Sequence, residues 1–463
     1  MKIKLIASIL CATLFLTCLS CGTVSGTGES VESPKESEKE SAVESVIESE
    51  KEPEIEIEVD KSEYIFVMDG NQTPTEILAK VYFGEEEIIS PELSFATENP
   101  DVCTVENGVV TPIGVGRTEV SITYEDTVKK VAVMVCEKTT EELVNTFDET
   151  QVNLYGRTYI KDDKLYLDHV CTGVGVAFKG EELSVTVDSL GSTFLCVFID
   201  GEQDYSSRIR LTQGLKTYKV AEGLESGFHT VRLVKSNEID DGQIKIVGFS
   251  ASEFYTAPEK SPLYIEFIGD SITTGYGALG SRAMGRTVEN SDGCSSFAYK
   301  TATLLGADYS IVAKQGICVK AHVWLDHSMS EIYGYVSTRT KEKYSFDKKP
   351  DIVVLNLGTN DSSFVSGITA NAAEFSEDYY VFLSMLRVKY PDAYIMCLYG
   401  FMGKDDYVSE AISTAVAKMQ DARISDRCGY YAPNNDGAND HPTKEAQAVW
   451  ATSLTRYINE YVL

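Results

Sequence analysis

The sequence predicts a multidomain chain: two β-sandwiches in series, then a three-layer α/β domain built around a parallel sheet. Three observations carry that prediction. The 463 residues exceed what a single hydrophobic core commonly serves. Between residues 59 and 257 the apolar residues alternate with period two in short runs separated by turn residues. After Pro262 the pattern changes to short, mostly apolar runs alternating with helical stretches, as expected of strands buried on both faces and their covering helices.

Residues 1–21 read as an export signal. Lys2 and Lys4 precede an apolar run over 5–16, and small residues lead to Cys21-Gly22. The run is too short to span a bilayer comfortably. Cys18-Leu19-Ser20-Cys21-Gly22 resembles a bacterial lipobox, with Cys18 where Leu is usual. The resemblance implies lipidation of Cys21 and a membrane tether; ordinary cleavage with free secretion is the alternative. Residues 22–58 contain no aromatic residue and read as a disordered acidic linker, because they cannot bury enough surface to offset their ordering entropy. Residues 29–60 hold thirteen acids against Lys35, Lys39 and Lys51, a third of the chain's net charge of −30. So acidic a balance argues against nucleic acid as a partner, since that interface needs Lys and Arg to displace counterions.

In 59–138, alternating runs over 118–124 and 131–135 and the hairpin signal Asn107-Gly108 predict a small sandwich. Residues 95–102, 105–111 and Gly114-Val115-Gly116 resemble bacterial Ig-like domains of the second family, which implies a spacer or adhesion module without catalysis. In 139–257, runs over 183–187, 194–199, 229–234 and 244–249 predict a second sandwich, of jelly-roll type. Beyond it, 258–463 should supply strands at 264–268, 309–313, 352–357 and 394–398, with helices at 297–305, 372–389, 408–419 and 443–461.

Eleven Cys are present, and Cys11, Cys18 and Cys21 fall in the signal. The remaining eight, from Cys103 to Cys428, form no C-x-x-C pair, so spacing offers no zinc site, and nothing implies an organic cofactor. Cys103 and Cys136 share one β-domain and could bridge. The others, such as Cys196 and Cys397 in apolar strand contexts, read as buried free thiols.

The chemistry collects where strands of the last domain end, because ligands gather at the carboxyl edge of an open α/β sheet. The run 264–268 leads directly into Gly269-Asp270-Ser271, and the run 352–357 into Gly358-Thr359-Asn360-Asp361. A serine nucleophile needs a base, and only five His are available. His169 and His229 fall in the β-region as strand residues; His322 and His327 flank Trp324 in a connection. His441, before Pro442 at the start of the last helix, returns to the edge that carries Ser271.

Gly269-Asp270-Ser271-Ile272, Gly316, Gly358-Thr359-Asn360-Asp361 and His441-Pro442 stand in the order and spacing of the SGNH, or GDSL-type, hydrolases. With the β-domain directly before them, the layout resembles carbohydrate esterase family 2, whose members deacetylate plant cell-wall polysaccharides. This resemblance implies a serine carboxylic-ester hydrolase, acetyl xylan esterase-like. Ser271 would be nucleophile and His441 base, with an oxyanion hole from the N–H groups of Ser271 and Gly316 and the Asn360 amide. It also implies an acetylated hemicellulose, xylan or glucomannan, as partner. One position departs from the pattern: Ala438 stands three residues before His441, where most relatives carry Asp. Asp436 is then the candidate orienter of the ring, Asp440 being awkwardly adjacent, and a Ser-His dyad with a backbone carbonyl on the imidazole is the favoured alternative. Trp324 and Tyr276 are candidates for stacking on sugar, with Tyr333 and Tyr335 near the same edge.

Three readings stay open: a carbohydrate O-acetyl esterase, a lipid esterase or thioesterase on the same scaffold, and a non-catalytic surface glycan-binding adhesin. Preference between acetyl and octanoyl esters separates the first two, and the effect of Ser271→Ala on esterase activity separates the third.

Overall fold

The computed structural model describes residues 55–68, 70, 73–84, 86–138, 147, 151–428 and 435–463. The expected export signal with Cys21, and the acidic linker as far as residue 54, lie outside the described residues. The end of that linker needs correction, because Ile55–Val59 is a strand paired antiparallel with Ala79–Phe83. Its alternation buries Ile57 and exposes Glu56 and Glu58, so period-two patterning outweighs the local charge.

In the first β-region, Glu63–Met68, Thr127–Glu137, Gly116–Tyr124 and Ser94–Thr97 form one sheet, with Glu63–Met68 parallel to its neighbour. Two small three-stranded sheets complete it around a core that includes Ile57, Val81, Val110, Val120 and Val133. Asn107 and Gly108 both take positive φ, 50° and 84°, in the tight turn joining Cys103–Glu106 to Val109–Pro112. Cys103 and Cys136 do not bridge. They sit on different sheets, opposite Pro112 and Val67, and all eight described cysteines are free thiols.

The second β-region has two antiparallel sheets. One orders Asn153–Tyr155, Gly173–Gly180, Gly227–Lys235, Thr193–Ile199 and Ser207–Leu211, with Glu253–Tyr255 also on Gly173–Gly180. The other orders Tyr159–Lys161, Lys164–Leu167, Gly242–Ser250, Leu183–Gly191 and Gly214–Ala221. Val176, Leu195 and Leu233 of the first meet Leu165, Val185 and Ile246 of the second in one hydrophobic cluster.

The C-terminal region is a five-stranded parallel sheet: β1 (Tyr264–Gly269), β2 (Asp308–Ala313), β3 (Ile352–Asn356), β4 (Tyr394–Tyr399) and β5 (Ile424–Cys428), in the order β2-β1-β3-β4-β5. Alternate strand residues serve opposite faces. Phe267, Ile311 and Val354 pack with α1 (Phe297–Leu304) and α4 (Lys444–Tyr461), whereas Ile268, Val353 and Leu355 pack with α2 (Thr369–Lys389) and α3 (Asp406–Met419). The α1–α4 cluster also takes in Val170, Cys196, Phe198 and Val234, so the second β-region and the α/β sheet share a core. Among the described residues no helix is long and apolar enough to cross a membrane.

Candidate active site

β1 ends at Gly269 and the chain turns sharply, with Thr274 N–H donating to the Asp270 carbonyl and Tyr276 N–H to that of Ser271. This lifts Ser271 to the carboxyl edge of the sheet, where it is 6% exposed. His441 arrives from the other end of the chain, on the short turn before α4. Its Nε2 lies 2.9 Å from Ser271 Oγ. Burial lowers the His441 pKa below its usual value, partly offset by the carbonyls of Asn439 and Ala438 and the charge of Asp440. The neutral, proton-accepting ring is therefore the favoured form.

The other ring nitrogen, Nδ1, faces the backbone carbonyl of Asn439 at 3.1 Å. Asn439 and Asp440 take left-handed φ of 52° and 60°, which folds that carbonyl back toward the ring. Asp436, the candidate orienter, is turned elsewhere: its Oδ1 lies 3.8 Å from Arg282 Nη2, and Arg282 Nε also pairs with Asp440 at 2.5 Å. Ala438 is fully buried against Gly277, where a Cβ added to the glycine would come within 2.6 Å of the alanine methyl.

The remaining predicted groups lie on two loops tied together, one following β2 and the other β3, the strands that flank β1. Gly316, after β2, has a left-handed φ of 72°, a conformation glycine adopts without strain. Asn360 Nδ2 donates to the carbonyl of Ile317 at 3.0 Å, and the carboxylate of Asp361 accepts from Val319 N–H at 3.0 Å. Asp361, to which the motif assigns no role, pins the Gly316 loop to the end of β3. Burial pushes the Asp361 and Asp270 carboxyls up to about 7.

The aromatic residues divide. Trp324 is 63% exposed, with its Cβ next to Gly316. Tyr276 is not a free platform, because its ring stacks on His441. Tyr333 is fully buried in the sheet's packing, its hydroxyl donating to Glu266, and Tyr335 is part-buried on a short separate strand, its carbonyl accepting from Arg157 Nη1 at 3.4 Å. Of the other histidines, His169 lies in a buried bend rather than on a strand, His229 contacts Asp200, His322 contacts Glu331 and His327 contacts Asp326.

Spacing also missed a buried cluster. Cys196, Asp292 and Cys294 bring potential metal-ligating atoms within 4.8 Å of one another. Asp292 already accepts from the Ser236 and Ser295 hydroxyls at 2.8 and 2.6 Å, and burial pushes both thiols well up, so the two cysteines read as protonated packing.

Comparison with known proteins gives this fold its class. Residues 154–258 match the carbohydrate esterase 2 N-terminal family, and residues 265–454 match the GDSL-like lipase/acylhydrolase family. The chain is 31% identical over 307 residues to the cellulase/esterase CelE of Acetivibrio thermocellus, spanning 62% of this chain and 36% of that longer protein. It is 24% identical to the acetylxylan esterase / glucomannan deacetylase of Cellvibrio japonicus, over 61% of this chain and 82% of that one. A solved family two carbohydrate esterase from Clostridium thermocellum, in complex with cellohexaose, superposes with a TM-score of 0.60 at 27% identity, covering 66% of this chain and 98% of that one.

Proposed function

We propose that this protein is an exported carbohydrate O-acetyl esterase that removes acetyl groups from hemicellulose, xylan or glucomannan, through a Ser-His acyl-enzyme. The observation that carries the reading is the 2.9 Å approach of His441 Nε2 to Ser271 Oγ at the carboxyl edge of a parallel sheet. The names of the sequence relatives supply the substrate class.

Ser271 Oγ attacks the acetyl carbonyl while His441 Nε2 takes the hydroxyl proton, and Nδ1–H stays held by the Asn439 carbonyl. The tetrahedral oxyanion accepts hydrogen bonds from the N–H groups of Ser271 and Gly316 and from the Asn360 amide. Collapse expels the sugar alkoxide, which takes the proton from His441. Water then attacks the acetyl-serine with His441 again as base, releasing acetate and restoring the hydroxyl. Trp324 offers an exposed apolar face beside Gly316 on which a sugar ring can stack.

The rest of the chain fits a surface role: a lipoprotein signal with Cys21 at its boundary, an acidic linker, an Ig-like spacer from Ile55 to residue 138, a jelly-roll domain over 139–257 and the hydrolase over 258–463. The test is acetate release from acetylated xylan and glucomannan by the intact chain and by Ser271→Ala. Activity abolished by that substitution is the expected result. A preference for octanoyl over acetyl esters would sink the carbohydrate reading in favour of a lipid esterase, and absence of any serine-dependent activity would leave a glycan-binding role.

A further inference from the structure

The second β-region sends one segment into the α/β domain, residues 235–241. Its base is a fully buried ammonium: Lys235 Nζ donates to the carbonyls of Asp168, Asn237 and Glu238 at 2.9, 2.5 and 2.8 Å, which fixes the path of the loop. From there every residue makes a contact across to the hydrolase. The Ser236 carbonyl accepts from Gly293 N–H at 2.7 Å, Asn237 Nδ2 donates to the Ser291 carbonyl at 3.0 Å, and the Ile239 carbonyl accepts from Arg339 at 2.6 Å. Asp240 pairs with Lys314, and Asp241 with Arg286.

Glu238 occupies the centre. Its side chain is 1% exposed, and Oε2 accepts from the backbone N–H of Gln315 at 3.0 Å while Oε1 faces Arg286 Nη2 at 3.4 Å. Gln315 immediately precedes Gly316. Fixing its amide limits rotation about the bonds that orient the next N–H, the one assigned to the oxyanion. Arg286 carries the brace to the other side of the site: its Nε donates to Ser291 Oγ at 3.1 Å, that hydroxyl accepts from Gly277 N–H at 3.2 Å, and Gly277 follows Tyr276, the ring stacked on His441.

We propose that Glu238, a residue of the β-domain, is a positioning residue for the esterase reaction, holding the Gly316 N–H in the oxyanion hole through the Gln315 amide. The β-domain is then a working part of the active site as well as a neighbour of it. The inference rests on the esterase reading for its catalytic consequence, while its structural content stands apart from it. Burial pushes the Glu238 carboxyl up to about 7, against the pull of the Gln315 N–H, Arg286 and Lys314 and with the push of Asp241. A neutral side chain that still accepts one hydrogen bond should therefore be tolerated.

The experiment compares Glu238→Ala and Glu238→Gln in the intact chain. For p-nitrophenyl acetate, with active sites counted by titration, Glu238→Ala should lower kcat about ten-fold or more with KM within about two-fold, because loosening a donor by an ångström can cost up to ~10²-fold. Glu238→Gln should restore kcat to within about three-fold. Hydrogen exchange supplies the second measurement: the Gln315 amide should lose protection in Glu238→Ala and keep it in Glu238→Gln. Unchanged protection in Glu238→Ala, or equal loss of kcat in both variants, would overturn the proposal. A wild type without esterase activity would sink the esterase reading instead, and the exchange measurement would still decide whether Glu238 holds the loop.

Discussion

The rings of Tyr276 and His441 lie stacked, centroids 4.1 Å apart and planes 29° from parallel, and the Tyr276 hydroxyl accepts from Asn439 Nδ2 at 2.8 Å. Tyr276 thus touches both the imidazole and the residue whose carbonyl holds it. A side chain read from sequence as a sugar platform is built into the support of the base.

That placement separates two outcomes by kinetics. If Tyr276 orients His441, Tyr276→Ala should lower kcat by about ten-fold while leaving KM for acetylated xylan within about two-fold, since positioning acts on the chemical step. Tyr276→Phe, which keeps the stack and loses one hydrogen bond, should fall by less. A rise in KM with kcat unchanged would return Tyr276 to substrate binding.

Among the described residues His441 Nδ1 faces a backbone carbonyl rather than an acid, and this makes a second prediction. Asp436 and Asp440 both face Arg282, and Nδ1 has a backbone carbonyl, so Asp436→Asn should turn over within about three-fold of wild type, where a true triad acid would cost about 10⁴-fold. Ala438→Asp, which rebuilds the usual sequence, should lower thermal stability without raising kcat, because the methyl it replaces is sealed against Gly277. A gain in kcat would show that the dyad is an incomplete triad.

Asn360 tests the oxyanion assignment. Removing one such donor typically costs about 10² to 10³ in kcat, so Asn360→Ala should fall in that range. The same amide ties down Ile317, and part of the loss would come from the freed Gly316 loop. A loss of only two-fold would take Asn360 out of the site.

The regular elements were largely legible. Runs such as 309–313 and 394–398 are almost wholly apolar, Ser310 aside, because both faces of β2 and β4 are covered, and the observed strands, Asp308–Ala313 and Tyr394–Tyr399, differ by a residue at an end. The approach of Ser271 to His441 was legible for a related reason, since the carboxyl edge of a parallel sheet is where side chains from strand ends and helix starts are presented. Other features depend on what the chain brings together from afar. Nothing local marks Glu238 as the partner of an amide 77 positions on, or Tyr276 as a neighbour of His441 rather than of substrate. The Asn439 carbonyl depends on two successive left-handed residues, which neither periodicity nor charge announces. Composition misled at Ile55–Val59, where acids alternate with apolar residues that the sheet needed.

His441 sets the final expectation, the pH dependence of kcat/KM. The reaction needs the ring neutral. Burial disfavours the imidazolium, which lowers the folded pKa below 6.5, with the Asn439 and Ala438 carbonyls and Asp440 opposing that shift. Protons lost as pH rises therefore create the active form, and the His441 limb of kcat/KM should climb with its midpoint below 6.5. In Asp440→Asn one opposing charge is removed, so the midpoint should move further down. A pH–rate profile of p-nitrophenyl acetate hydrolysis for both proteins measures this, and a midpoint above 7 in the wild type, or an upward move in the variant, would contradict a buried, carbonyl-held imidazole as the base.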